Sequence, residues 1–318
     1  MKLVDSLVSL IRETSSSLPD DVLAALRRAA RKEAKGSSAA VMLKTVLDNC
    51  RLAKRTGLPL CQDTGTLTFF VDERLRKRVT PAVIGRAVAK ATELGYLRKN
   101  CIDSVTGRSH DDNCAEGAPV VHYVADSYGA RPRAPAGKLA GRGGAPRTGD
   151  APTVTLLLKG GGSENMSRQY SLPEATLGAG RDLAGVRKCV LDAVQKIQGY
   201  GCAPGILGVC IGGDRATGFE VAKEQLLRPL DEDCLSSEVS ECLSCGLLKN
   251  SKTQKLKQFE KQLLREANAL GIGPMGLGGK TTLLGVKIAS RPRVPASFFV
   301  TIAYMCWAAR RRTMCVAK

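Results

Sequence analysis

Aromatic side chains are scarce in this 318-residue sequence, at 4% with a single Trp, and only two histidines are present. The first scarcity argues against a nucleic-acid platform, because single strands are gripped by stacking their bases on exposed rings. The second leaves little for a zinc site. Cys242-Leu-Ser-Cys245 has ligand-like spacing, but no second pair of similar quality accompanies it, and His110 and His122 are the whole histidine supply. No run of about 18 apolar residues occurs, so no membrane-spanning helix is foreseen. Acidic residues number 30 against 48 Lys and Arg, a net charge of +18. Much of that excess falls at Arg131, Arg133, Lys138, Arg142 and Arg147, and again at Arg310-Arg311-Arg312, segments that look peripheral. A basic, solvated surface is the simplest reading, with attraction of small anionic substrates as a by-product.

What is present describes a globular chain: 43% hydrophobic and 25% charged residues, with length for one large domain or two ordinary ones. Twelve cysteines accompany an amphipathic, helix-patterned start at residues 1–13 that does not resemble a secretory signal. Thiols are therefore expected rather than disulfides, most of them buried as small hydrophobes and some serving as metal ligands. The cytoplasm is the expected compartment.

Hydrophobic spacing outlines an α/β chain with a helical N-terminal segment over 1–56, in which Asp20-Asp21 opens one helix. Strands are expected at 67–71, 118–124, 153–158, 206–211, 283–289 and 298–304. Helices are expected at 81–94, 180–198, 217–227 and 254–270. Residues 130–152 are rich in Gly, Pro and Arg without periodicity and read as a basic surface insertion. A single domain covering residues 1–318 is the expected organisation.

Three cysteines sit where turns are expected: Cys61 in Leu58-Pro59-Leu60-Cys61-Gln62-Asp63-Thr64-Gly65, Cys202 in Gly201-Cys202-Ala203-Pro204-Gly205, and Cys306 before Trp307. Taken singly, each has a plain reading as a buried thiol beside a turn. Between them Lys159-Gly160-Gly161-Gly162-Ser163 follows a strand, and reads as either a flexible turn or a set of backbone N–H groups for an anion. Arg98 is either a surface arginine or a carboxylate clamp, since guanidinium binds carboxylates bidentately. Together these features suggest a cluster held by three thiolates, with one iron open to a substrate hydroxyl and carboxylate, beside a pocket for a di-acid. Two decoys fall away. Gly278-Gly279-Lys280-Thr281 lacks the upstream glycine of a phosphate loop, where Pro274 stands, and a helix precedes it instead of a strand. No nucleophile elbow exists for a serine hydrolase.

Five ordered motifs carry a resemblance: Cys-Gln-Asp-Thr-Gly at 61–65, Lys-Gly-Gly-Gly-Ser-Glu-Asn at 159–165, the Cys202-x-Pro204 loop, Gly-Pro-x-Gly-Leu-Gly-Gly-Lys at 273–280 and Cys-Trp-Ala-x-Arg-Arg at 306–311. They resemble the α subunit of two-chain class I fumarate hydratases and the related L(+)-tartrate dehydratases, from about residue 20 to 312. The resemblance implies the class I fumarase α-domain fold and reversible hydration of fumarate to (S)-malate. It implies a [4Fe–4S] cluster on Cys61, Cys202 and Cys306, with Gln62, Asp63, Arg98 and Gly162 contacting substrate and Asp63 relaying a proton. It also implies a β subunit in an αβ or (αβ)₂ assembly that supplies the group abstracting the carbon-bound proton. Ser163-Glu164-Asn165 favours fumarate over tartrate; a dehydratase for tartrate or another hydroxy-diacid is the alternative, and a cluster or nucleic-acid-binding homologue without activity a further one. The chain departs from the pattern in three places. Ala203 replaces a proline, Val294 stands where a histidine is usual twelve residues before the last cysteine, and 130–152 is inserted.

Overall fold

A computed structural model describes residues 2–124, 151–231 and 251–316. Most of the expected basic insertion and the Cys242/Cys245 pair lie outside the described residues. The chain divides into two compact units: 1–19, 49–160 and 310–318 form the first, and 20–48 with 161–309 the second.

The first unit holds α1 (Lys2–Ser16), β1 (Thr66–Asp72), α4 (Pro81–Glu93), β4 (Val120–Val124), β5 (Thr153–Lys159) and β10 (Arg310–Cys315), with a small hairpin of β2 (Cys101–Ile102) and β3 (Ser109–His110). Its four-stranded sheet runs β10-β5-β1-β4; β1 is parallel to β4 and antiparallel to β5. Alternation explains the buried face. Leu67, Phe69 and Val71 of β1, with Val154, Leu156 and Leu158 of β5, pack against Leu7, Leu10 and Ile11 of α1 and Ile84, Ala87, Val88 and Ala91 of α4. On the opposite face Phe70 stacks on its register partner His122, ring centroids 5.3 Å apart. Helix α4 begins where expected because Thr80 caps Val83 N–H and Pro81 occupies the first turn.

The second unit contains α2 (Asp20–Lys32), the short helix α5 (Gly161–Asn165), β6 (Arg168–Ser171), α6 (Leu183–Ile197), β7 (Gly205–Gly212), α7 (Arg215–Gln225), α8 (Ser251–Ala269), β8 (Leu283–Arg291) and β9 (Phe299–Met305). The residues of α3 (Ser38–Thr56) divide between the units. The sheet order is β6-β9-β7-β8, with β7 parallel to β8 and antiparallel to β9. Strand β7 is buried along its whole length, as its continuous apolar run requires. Val186, Val190 and Val194 of α6 and Leu263 and Ala267 of α8 close one face of the sheet. Asp182 and Asp214 cap α6 and α7, which sets their starts at Leu183 and Arg215 instead of the periodicity's 180 and 217.

The α/β reading holds, with helices first and mixed sheets flanked by helices after. Four elements escaped the sequence: the β2–β3 hairpin, α5, β6 and β10. The last corrects an expectation. Arg310-Arg311-Arg312 is no peripheral basic patch but half of a strand, with Arg310 only 1% and Arg311 9% exposed. Arg310 pairs in register with Leu158, and its Nη2 donates to the Asp63 carbonyl at 2.8 Å. Arg312 reaches Ser17 Oγ at 2.8 Å and Glu13 at 3.3 Å. Arginine tolerates such burial because its stem is apolar and part of its fork of donors finds backbone, hydroxyl and carboxylate acceptors.

Phe69, fully buried in the middle of this sheet, gives a direct check on the first unit's core. Phe69→Ala is expected to cost about 3–5 kcal/mol, measured by urea unfolding under reducing conditions.

Candidate active site

The Cys61 turn is built by satisfying its backbone from outside. Helix α3 ends at Thr56, Leu60 N–H donates to Ser15 C=O at 2.8 Å, and the Leu60 carbonyl accepts from Asn49 Nδ2 at 2.9 Å. Leu60, the residue before Cys61, is thus bonded through both of its backbone groups. Beyond it Gln62 is exposed, Asp63 half-buried and Thr64 buried. Gly65 has φ +82°, and a side-chain carbon there would lie 2.6 Å from the Lys159 carbonyl carbon, so only glycine fits where the turn meets the end of β5. On the same strand end a Cβ on Gly160 would fall 2.7 Å from Asp63 Oδ2; the carboxylate rests directly on glycine backbone.

Thr64 ties this turn to the segment carrying Arg98. Its hydroxyl accepts from Arg98 N–H at 3.2 Å and from Asn100 Nδ2 at 2.9 Å. Asn113, buried and left-handed at φ 60°, completes the tie. Its carboxamide oxygen accepts from Asn100 and Cys101 N–H at 2.7 and 3.0 Å, and its NH₂ donates to the Arg98 carbonyl at 2.7 Å and Thr92 Oγ1 at 2.9 Å. The backbone of Arg98 is spent on these bonds while its guanidinium stays exposed. Cys61, Gln62, Asp63 and Arg98 are therefore collected within the first unit.

In the second unit the glycine run is not the open loop the sequence suggested. Gly161–Asn165 winds into a short helical turn, α5, because Ser163 is drawn inward. Its hydroxyl accepts Cys306 N–H at 3.1 Å. Gly162 is exposed, with open space where a side chain would start. Cys202 is exposed and left-handed at φ 50°, and its carbonyl accepts Trp307 N–H at 3.2 Å. The next carbonyl, Ala203, accepts Met275 N–H at 3.0 Å. The loops bearing Cys202 and Cys306 are thereby fastened to each other, and Ser163 brings the residue beside Gly162 to Cys306.

Tyr304 lies under both loops. It is fully buried, and burial, with thiolate charge at Cys306 and Cys202 adding to it, pushes its phenol well above the ordinary value.

Among the described cysteines Cys50, Cys189 and Cys210 are buried, and Cys61, Cys101, Cys114, Cys202, Cys306 and Cys315 are at least partly accessible. Cys189 and Cys210 are fully buried, and desolvation pushes each up to about 11, so they stay protonated at neutral pH. Cys61 and Cys306 are half-exposed and Cys202 is exposed, and none of the three is in a disulfide among the described residues. Such thiols suit deprotonation by a metal. Among the described residues no three Cys, His, Asp or Glu side chains gather as ligands of one ion. Cys61 belongs to the first unit and Cys202 and Cys306 to the second, and thiols are the donors by which an iron–sulfur group is held.

Three further points concern the motifs. Lys280 N–H, in the rejected phosphate loop, donates to the Glu33 carboxylate at 2.9 and 3.0 Å, so the protein's own anion occupies it. Val294 is 64% exposed. Neighbouring Arg293 does not stand in for the missing histidine: it donates to the carbonyls of Val294, Pro295 and Ser297 and stacks on Phe298. Thr64, Asn113, Ser163, Tyr304 and Arg310 are structural members of the site that residue-by-residue reading missed. Thr64, Ser163 and Arg310 do fall within the quoted motifs, whereas Asn113 carried no signal.

The family described as Fumarate hydratase (Fumerase) matches residues 4–315. A provisionally named class I fumarate hydratase of Geobacillus stearothermophilus is 42% identical over 315 residues, 98% of this chain and 54% of that protein. The chain thus spans about half the length of this relative. A provisionally named L(+)-tartrate dehydratase subunit alpha of Methanocaldococcus jannaschii is 31% identical over 98% of this chain and 96% of its own length. The L(+)-tartrate dehydratase subunit alpha of Escherichia coli K12 is 26% identical over 99% and 91%.

The Asn113 tie has a measurable consequence. Asn113→Ala removes four hydrogen bonds and strands buried backbone groups, and is expected to destabilise the protein by about 2–4 kcal/mol. Hydrogen exchange should show lost protection at the amides of Asn100 and Cys101, while β7 amides keep theirs.

Proposed function

The chain belongs to the fumarate hydratase (fumerase) family, and from that premise we propose that it is the α subunit of an iron–sulfur hydro-lyase. It interconverts (S)-malate and fumarate with a β-type partner chain. The observation that carries this reading is the bracing of the three cysteines within family motifs: Leu60 before Cys61, the Cys202 carbonyl and the Cys306 N–H are each held by hydrogen bonds, while Cys189 and Cys210 are sealed in the core. The two compact units act as one catalytic domain, consistent with a family match that runs through both.

In this proposal Cys61, Cys202 and Cys306 hold a [4Fe–4S] cluster. When bound, it supplies an iron with an open coordination position, a Lewis acid that eases departure of the substrate hydroxyl. The chain's own residues do the rest. Arg98 grips a substrate carboxylate bidentately from a backbone already fixed by Thr64 and Asn113. Gln62 and Gly162 contribute further contacts to the hydroxy-diacid. Asp63, held against Gly160, carries a proton to the departing hydroxyl. The group that removes the carbon-bound proton belongs to the partner. Val294 offers no hydrogen bond and Arg293 is committed to its own loop, so orientation at that end also falls to the partner. The names "subunit alpha" on relatives spanned over most of their length, and the unmatched part of the Geobacillus protein, are consistent with such a partner.

A dehydratase for tartrate or another hydroxy-diacid is the second reading, favoured by the names of the Methanocaldococcus and Escherichia relatives. The nucleic-acid alternative weakens, because Arg310 and Arg311 are buried. Among the described residues no helix is long and apolar enough to cross a membrane. Free thiols and an oxygen-labile cluster favour the cytoplasm.

The test is anaerobic reconstitution with iron and sulfide in the presence of a β-type chain, followed at the fumarate absorbance with malate and then with tartrate. Malate turnover is expected; turnover of tartrate alone moves the assignment to the second reading, and a cluster-free protein with full hydration activity refutes the first. Cys61→Ser should remove the brown absorbance and the activity together. Arg98→Lys should raise KM by about tenfold or more, the loss of a bidentate contact being worth on the order of 1.4 kcal/mol or above.

A further inference from the structure

Tyr304 presents an anomaly that the proposed chemistry does not use. Its side chain is 1% exposed, and its hydroxyl is buried with no hydrogen-bond partner among the described residues. A sealed, unsatisfied hydroxyl costs free energy that a phenylalanine would not incur. The surrounding hydroxyls are placed differently: Ser163 Oγ accepts Cys306 N–H, and Ser167 Oγ accepts the N–H of Tyr304 itself.

The ring is clasped by the loop that carries Cys202. A Cβ on Gly201 would lie 2.5 Å from Tyr304 Cε1, and one on Gly205 would lie 2.4 Å from its hydroxyl oxygen. Both glycines are thus needed for the phenol to enter beneath Cys202, with Cys306 two residues further on, just past the end of β9. Two glycines and a strand end converge to admit an oxygen with no hydrogen-bond partner among the described residues. Cys202, between the two glycines, and Cys306, two residues beyond Tyr304, are the acceptors that metal binding would create, since a thiolate accepts hydrogen bonds far better than a thiol.

We propose that Tyr304 is a positioning residue for the sulfur ligands: its O–H donates to a sulfur at the Cys202–Cys306 end of the bound cluster, fixing those thiolates and drawing electron density from them. The inference rests on the iron–sulfur reading of the previous subsection. Hydrogen bonds to the sulfurs are one of the levers by which a protein sets a cluster's potential and its retention. A donor stabilises the more negative, reduced form, so its removal shifts the potential in the negative direction.

Tyr304→Phe is the variant, because it keeps the ring that packs on Gly201 and Gly205. The readouts are the melting temperature of the metal-free chain, the midpoint potential of the reconstituted cluster followed by electron paramagnetic resonance, and the rate at which a chelator bleaches it. The metal-free variant is expected to melt at or above the wild-type temperature. The loaded variant should show a more negative potential and lose its cluster several-fold faster. Wild-type potential and bleaching rate in the variant would overturn the inference, as would a fall in metal-free melting temperature, which would mark the hydroxyl as purely structural. Failure of the wild-type chain to take up iron and sulfide would overturn the underlying reading as well; uptake by the wild type with an unchanged variant overturns this inference alone.

Discussion

An exposed thiol can serve as a ligand only if the turn that carries it holds still, and a turn holds still only when its peptide groups have partners. That constraint governs the architecture around Cys61, Cys202 and Cys306. Leu60 is bonded through both its N–H and its carbonyl before Cys61. The Cys202 carbonyl takes Trp307 N–H, and Cys306 N–H is taken by Ser163. Side chains, the last turn of α1 and the loop after β9 close these bonds. Irregular backbone can therefore stay rigid without the thiols being buried, as Cys189 and Cys210 are.

Close approach supplies the second half of the design. Gly65 and Gly160 let the Cys61 turn and the Asp63 carboxylate lie against the end of β5, and Gly201 and Gly205 admit the Tyr304 ring. Each is a place where one methyl group would collide with backbone, carboxylate or ring. The Thr64–Asn113 network then hands the rigidity of the Cys61 turn to Arg98, whose backbone is fixed while its guanidinium remains exposed to solvent.

The regular elements were legible because periodicity reports burial. The run at 206–211 could only be a covered strand, and β1 and β5 alternate or run apolar as a mixed sheet demands. β10 was not legible, since Arg310-Arg311-Arg312 spells solvent by composition. Its burial follows from long apolar stems and from an acceptor, the Asp63 carbonyl, that lies 247 residues away in sequence. The same holds for Asn113, whose four bonds join segments that sequence proximity does not connect. The glycine run misled in a milder way: three glycines suggested an open loop, but Ser163 Oγ bonding Cys306 N–H turns it into helix. Candidate ligands were visible as cysteines at turns, whereas what braces them depends on tertiary contacts.

The central claim is that three thiolates of this chain leave one iron of a cluster for the substrate. Mössbauer spectroscopy of the anaerobically prepared, iron-57-loaded protein tests it most directly, with and without malate in the presence of a β-type chain. One iron site should differ from the rest and change its isomer shift when malate is added, while the cysteine-bound irons stay as they were. Iron sites that are all alike and indifferent to malate would contradict the claim.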